Sequence, residues 1–172
     1  MKHFYKALGG WFTWPRLYKD MVTKFPSGSH FVEVGVYRGT SLCYLIVEMI
    51  NAEKQFVITG IDSFIEPGSS RDIVKMNLRR VRKKFRVITG DSADTANKAM
   101  DKSLDFVFID AAHDYKSVKK DILAWLPKIK EGGYIAGHDY PGYPGVKKAV
   151  DEIFGDLMIK DYVDEFCWLV SI

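Results

Sequence analysis

The sequence predicts an α/β fold: a doubly wound, mostly parallel seven-stranded sheet with a C-terminal antiparallel hairpin. Three observations carry that expectation. Short apolar, β-branched runs alternate with helical segments from residue 31 to residue 154, the pattern of strand–helix–strand units. The final two strand-like runs, 157–161 and 166–172, have no helical segment between them and join at about Val163-Asp164. They should pair as a hairpin and leave one strand antiparallel to the rest. Almost every predicted parallel strand ends in an acid, at the rim where open α/β sheets bind ligands.

The chain order supports each element. Residues 1–29 hold Phe4, Tyr5, Trp11, Phe12, Trp14 and Tyr18. Gly9-Gly10 and Pro15 interrupt this leader, and Pro15 suits the first turn of a helix reaching about residue 24. Aromatics at this density read first as packing on the sheet and second as a lid over a site. Pro26-Ser-Gly28 turns the chain into a first strand, 31–36. Helix 40–51, strand 55–62, helix 73–85, strand 86–90 and helix 93–100 follow. Next come the strongly apolar strand 104–110, helix 115–129, the Gly132-Gly133 turn, strand 133–138 and helix 145–154. With 172 residues and no repeat, low-complexity stretch or linker, residues 1–172 read as one domain.

Composition narrows the function. Hydrophobic residues make up 47% and charged residues 27%, an ordinary soluble balance. Cys43 and Cys167 lie in apolar segments and read as reduced core residues. No apolar run is long enough to span a membrane, and the first residues lack a signal-peptide core, so the cytoplasm is the expected compartment. A net charge of +3 does not by itself imply a nucleic-acid partner. Residues 79–86 carry six basic side chains in eight, which could dock a polyanion. With Val81 and Phe85 four apart, they read better as the solvated face of a helix.

The chemistry begins at Glu33-Val-Gly-Val-Tyr-Arg-Gly39, where the first strand breaks and a helix restarts. The dinucleotide fingerprint would require glycine at Tyr37 and Thr40, so a pyrophosphate cradle is disfavoured. A carboxylate at Glu33 would repel phosphate but attract ammonium and sulfonium charge, both of which S-adenosylmethionine carries. Gly35, Val36, Tyr37, Gly39, Thr40 and Ser41 form the loop and helix start that would wrap such a ligand. Asp62, followed by Ser63, ends the second strand where a carboxylate can bind two ribose hydroxyls; the competing reading is a cap on the turn 63–66. Asp91 and Ser92 suit either an adenine edge or the N-cap of the next helix. Asp110 and Asp139 should end neighbouring strands about 4.8 Å apart. Two close carboxylates need a shared proton or a cation. A cation there would activate a hydroxyl, and His113 would take its proton. The competing reading has Asp110 capping the next helix and both histidines packing.

Taken together, Val32-Glu-Val-Gly-Val-Tyr-Arg-Gly39, Gly60-Ile-Asp62, Gly90-Asp-Ser92, Asp105-Phe-Val-Phe-Ile-Asp110 and Gly132-Gly133 resemble a class I S-adenosylmethionine-dependent methyltransferase. Phe108-Ile-Asp-Ala-Ala-His-Asp-Tyr115, Lys120-Asp121, Trp125, His138-Asp-Tyr140 and Gly145-Val146 resemble a bacterial subgroup of small O-methyltransferases. That subgroup is related to metal-dependent macrolide-sugar and cephalosporin-pathway enzymes. The resemblance spans about residues 30–155. It implies a Rossmann-like methyltransferase fold, a metal site of Asp110, His138 and Asp139, and His113 as base. Those relatives carry a carboxylate where this chain has His138. Magnesium or manganese is the implied cation, and the imidazole shifts the balance towards manganese or zinc. The implied acceptor is a hydroxyl on a small molecule or sugar, contacted by residues 1–29, loops 63–70 and 140–145, or a second subunit. The rival readings are a nicotinamide-dependent oxidoreductase and an RNA-binding module.

Overall fold

The computed structural model describes residues 1–82 and 84–172. Its elements are α1 (Pro15–Lys24), β1 (His30–Val34), α2 (Thr40–Asn51), β2 (Val57–Asp62), α3 (Arg71–Asn77), β3 (Phe85–Thr89) and α4 (Ser92–Ala96). They continue with β4 (Leu104–Ile109), α5 (Tyr115–Trp125), β5 (Ile129–Gly137), α6 (Pro144–Phe154), β6 (Met158–Ile159) and β7 (Trp168–Ser171). The seven strands lie in the order β3-β2-β1-β4-β5-β7-β6. β1, β2, β3, β4 and β5 pair in parallel, and β7 runs antiparallel to both β5 and β6. The expected doubly wound sheet with one reversed strand is therefore present.

Alternation along β1 shows how the sheet makes two cores. Phe31 packs with α1 and α2, whereas Val32 and Val34 belong to the opposite layer with α5 and α6. Trp14, Trp125 and Trp168 are each 1% exposed and anchor these layers. Cys43 and Cys167 are free and buried, as expected. Among the described residues, no helix is long and apolar enough to cross a membrane.

Five elements differ most from expectation in their bounds. Helix 73–85 is α3 followed by a short 3-10 turn, Arg79–Val81. Asn77 Nδ2 donates to the Arg38 carbonyl, which ties the end of α3 to the β1–α2 loop. Val81 is buried while Arg79, Arg80, Arg82 and Lys84 are exposed, consistent with a solvated basic face; Lys83 lies outside the described residues. Helix 93–100 shortens to α4, which starts a residue earlier because the Asp91 side chain caps it. Helix 115–129 ends at Trp125, since Pro127 has no N–H for a helical bond. β5 then starts at Ile129 and runs through the glycine pair, with a register shift opposite Leu104 and Phe106 and Gly132 at φ +76°. Strand 157–161 shrinks to β6, because Lys160–Glu165 coils as a 3-10 segment against α1. Tyr162 donates to Asp20 at 2.8 Å, and Arg16 pairs with Asp164 at 2.5 Å, holding it there.

The parallel ladder continues past the strand ends. Gly35 N donates to Ile61 O at 2.9 Å, Asp110 N to Val34 O at 2.8 Å, His138 N to Ile109 O at 3.1 Å and Gly90 N to Asp62 O at 3.0 Å. These bonds set the residues after β1, β4, β5 and β3 on one rim. Gly35 stands at φ +88°, and a Cβ there would lie 1.7 Å from the Asp110 carbonyl oxygen. Gly35→Ala is expected to lose about 2–5 kcal/mol, combining left-handed strain with overpacking of backbone. Urea denaturation of the two proteins measures it; equal midpoints and slopes would show that the rim relaxes freely.

Candidate active site

A cleft of about 640 Å³ opens at the carboxyl ends of β1, β2, β3 and β4, the switch point of the sheet. Gly35, Val36, Tyr37, Thr40, Ser41, Asp62, Ser63, Asp91, Ser92, Asp110 and His113 all line it. Gly39 stands behind, as the left-handed N-cap of α2 at φ +84°. Arg38, Ser117, Lys120 and Asp121, given no role by the sequence, also line the cleft. The mouth carries Trp11 and Ile65, each 83% exposed. Of the segments expected to contact an acceptor, 1–29 contributes Gly10 and Trp11, and 63–70 contributes Ser63, Ile65 and Glu66. Loop 140–145 places the Tyr143 ring on His113, with centroids 4.3 Å apart.

Asp62 is built as a fixed acceptor. Its Oδ2 receives the Tyr37 N–H at 2.7 Å and its Oδ1 the Phe64 N–H at 2.6 Å. The second bond is the turn cap foreseen as the alternative, so the carboxylate both caps and faces the cleft. Each oxygen takes one backbone donor and keeps acceptor capacity for a hydroxyl. Tyr37 pays φ +50° to present its N–H to Asp62, a left-handed conformation that non-glycine residues rarely hold.

Glu33 does not reach the cleft, contrary to its expected contact with the ligand. It is 1% exposed, beneath the Gly35 loop. Tyr18 donates to its Oε2 and Ser41 to its Oε1, both at 2.7 Å. The side chain points into the α1–α2 layer because period-2 alternation puts it on the same face as Phe31. Burial pushes its pKa up to about 8, against the pull of those two hydrogen bonds.

Asp91 and Ser92 lie at the β3 end. Asp91 caps α4 through Asp94 N at 3.0 Å and pairs with Lys120 at 3.2 Å. The cap and the Lys120 pair hold its carboxylate below the usual range, with the Asp94 bond dominant. Ser92 Oγ accepts from Trp125 Nε1 at 2.9 Å.

Asp110 is not a cap. Asp114 caps α5 instead, accepting from Lys116 N and Ser117 N, each at 3.1 Å. Ligand atoms of Asp110, His113 and Asp139 lie within 4.8 Å of one another, close enough to share a cation. His113 Nε2 is 2.8 Å from Asp139 Oδ2. His138, expected in the metal set, stands beside this group: its Nδ1 is 3.1 Å from Asp139 Oδ1 and 3.7 Å from Asp110 Oδ1. Its Nε2 meets Thr13 Oγ1 at 3.0 Å, and its ring packs 4.3 Å from Trp14. Burial pushes Asp110 up to about 6, with the His138 charge opposing and Asp139 reinforcing. Asp139 sits at φ +67°, a second left-handed residue on the same rim. Burial raises Asp139, but the His138 hydrogen bond and the two imidazole charges outweigh it and leave its pKa low.

A sheet of this order, with its ligand cleft at the β1–β4 switch point, defines a class I S-adenosylmethionine-dependent methyltransferase fold. The chain belongs to a methyltransferase domain family, whose profile matches residues 32–140. An uncharacterised protein of Acanthamoeba polyphaga mimivirus is 28% identical over 141 residues, covering 77% of this chain; the chain spans 62% of that relative's length. Among solved structures, the O-methyltransferase NovP shares the fold with a TM-score of 0.75 at 21% identity, over 92% of this chain and 79% of that one. The MycE methyltransferase from the mycinamycin biosynthetic pathway, solved with Mg, SAH and mycinamycin VI, has a TM-score of 0.59 at 18% identity. That match covers 92% of this chain and 48% of MycE.

Two expectations test the site. Asp62→Ala should weaken S-adenosylhomocysteine binding by about tenfold or more, the loss of charge-assisted hydrogen bonds to ribose. Titration calorimetry reads it, and an unchanged affinity removes Asp62 from the site. Glu33 has a folded pKa above its unfolded value, so the folded state holds an extra proton between about 4.5 and about 8. Its stabilising contribution is present below that window and lost as pH rises through it. Glu33→Gln should flatten the fall in stability between pH 5 and pH 8; parallel wild-type and variant curves would contradict the shift.

Proposed function

We propose that this chain transfers the sulfonium methyl of S-adenosylmethionine to a hydroxyl of a small molecule or sugar, with a divalent cation at the acceptor. The observation that carries the reading is the convergence of Asp110, His113 and Asp139 beside the cofactor cleft. Two carboxylates on one rim are a donor set that suits manganese or magnesium, and the imidazole beside them is placed to take a proton. Support also comes from MycE, which was solved with Mg and SAH, and from NovP, described as an O-methyltransferase.

Asp110 and Asp139 would hold the cation, which when bound lowers the pKa of an acceptor hydroxyl. The remaining work falls to the chain's own side chains. Asp62 and the Gly35–Ser41 loop would hold the cofactor, which supplies the methyl group. The acceptor oxygen forms the new bond to that carbon as the carbon–sulfur bond breaks, and S-adenosylhomocysteine leaves. The hydroxyl proton passes to His113, whose ring is oriented by Asp139 and steadied on Tyr143. Alignment supplies much of the rate, because the cofactor already carries its leaving group. Trp11, Ile65 and Tyr143 offer the acceptor an apolar and aromatic approach.

Chelation should abolish methyl transfer, and manganese or magnesium should restore it. His113→Ala should lower kcat by about a hundredfold or more while cofactor affinity stays the same and the residual rate still responds to metal. Loss of that metal response would make His113 a ligand instead of the base. Full activity in excess chelator, together with an unimpaired Asp139→Asn variant, would remove the cation from the mechanism.

A further inference from the structure

Residues 73–90 contain seven lysines and arginines and no aspartate or glutamate. A solvated helix face commonly alternates the two signs of charge. This stretch does not, and much of it is not helix: α3 ends at Asn77 and Arg79–Val81 is a 3-10 turn. Val81 is buried in the layer that contains α2, and Arg79, Arg80, Arg82 and Lys84 are left exposed around it. Together with Lys54 these four line an open groove of about 540 Å³ beside the amino-terminal ends of β2 and β3. Among the described residues of the groove, Glu53 is the one acid against five cations. The whole chain has a net charge of only +3, so its positive surplus is concentrated here. Elsewhere on the surface Lys119, Lys120, Lys128 and Lys130 each meet a carboxylate. Arg79, Arg80, Arg82 and Lys84 take part in no ion pair among the described residues. Like charges gathered in this way repel one another, and an anionic ligand offsets that cost.

We propose that this groove is a second binding surface, for the phosphodiester backbone of a single-stranded nucleic acid. The inference is independent of the methyltransferase reading. Three of the four exposed cations are arginine, whose planar fork matches phosphate oxygens two at a time. A concave site suits a chain-like polyanion, whereas the headgroups of a flat bilayer do not reach its floor. The exposed Arg80 guanidinium is backed by the Phe4 ring at 5.3 Å, which steadies a plane on which a base can stack. Arg79 is held by a bond from its Nη1 to the Met76 carbonyl at 3.1 Å. No aromatic ring lines the groove among the described residues, so the surface reads backbone charge and not sequence. It stands at the opposite end of the strands from the cleft, about 15–20 Å away by strand length. Bound nucleic acid therefore leaves the cleft open.

Fluorescence anisotropy of a labelled oligouridylate is the test. Log affinity should fall with log salt at a slope of about −3, the value for four phosphate contacts on a single strand. Arg82→Gln combined with Lys84→Gln removes two exposed cations that serve no ion pair of the fold. The slope should drop to about −1.5, and affinity at low salt should fall about tenfold or more. Lys98→Gln combined with Lys160→Gln takes the same charge from other exposed surfaces and should change neither quantity. Equal losses in the two double variants would reduce the binding to net charge and overturn the proposal. So would the absence of oligouridylate binding by the wild type at low salt. Two further measurements need no variant. Competition by polyglutamate as strong as by unlabelled oligouridylate would give the surface to acidic proteins. Binding to anionic phospholipid vesicles without binding to oligouridylate would give it to a membrane. Either result would overturn the nucleic-acid assignment.

Discussion

The backbone ladder carried beyond the ends of β1 and β4 is the constraint on which the site depends. Val34 accepts from Asp110 N while Gly35 donates to Ile61, so β1 and β4 stay in register with their neighbours for one residue past their ends. Parallel strands covered on both faces tolerate few polar side chains along their length, which leaves the strand ends as the place for them. The rim therefore collects Asp62, Asp110, His138 and Asp139. Gly35 is the joint: a left-handed residue whose missing Cβ lets the β1–α2 loop rest against the Asp110 carbonyl. In the proposed reaction this backbone contact would join the cofactor side to the acceptor side and hold a methyl group and a hydroxyl in line.

Glu33 is the exception to this division and shows what it costs to break it. A carboxyl group inside the α1–α2 layer needs two dedicated donors, and one of them, Tyr18, comes from the leader helix. The leader is bound to the rest of the chain at several such points. Thr40 donates to the Gly9 carbonyl at 2.7 Å, and Thr13 meets His138. The Glu165 carboxylate receives the Arg16 and Leu17 N–H groups at the start of α1, a favourable place for negative charge. Packing and site-lining are thus not alternatives for residues 1–29. α1 packs, while Gly10 and Trp11, just before it, border the cleft.

Electrostatics divides the rim into two regions. On the β4–β5 side, Asp110 and Asp139 face two imidazoles, an arrangement whose balance shifts with any cation or proton that enters. On the β3–α5 side, Asp91 is matched by Lys120 and a helix cap, and burial pushes the Asp121 pKa up to about 6. Tyr37 and Asp139, both left-handed, stand on the two sides of this rim.

Much of this could be read from the amino-acid order. Alternating apolar periodicity and the absence of a helix before the last strand determined the layer architecture and the reversed β7. Strand-terminal acids determined which residues share a rim, because strand direction and the rule for open sheets leave them nowhere else to go. Helix ends were less legible: α3 ends where Asn77 bonds to the Arg38 carbonyl, α4 starts at the Asp91 cap and α5 ends before a proline turn, and the first of these depends on a partner outside the local window. Only the tertiary structure decided that Glu33 lies under the cleft while Asp121 faces it, and that His113, more than His138, converges with the two acids. The reason is physical: sequence spacing sets which face of a strand or helix a side chain leaves from. Which cavity that face borders depends on how the layers cross.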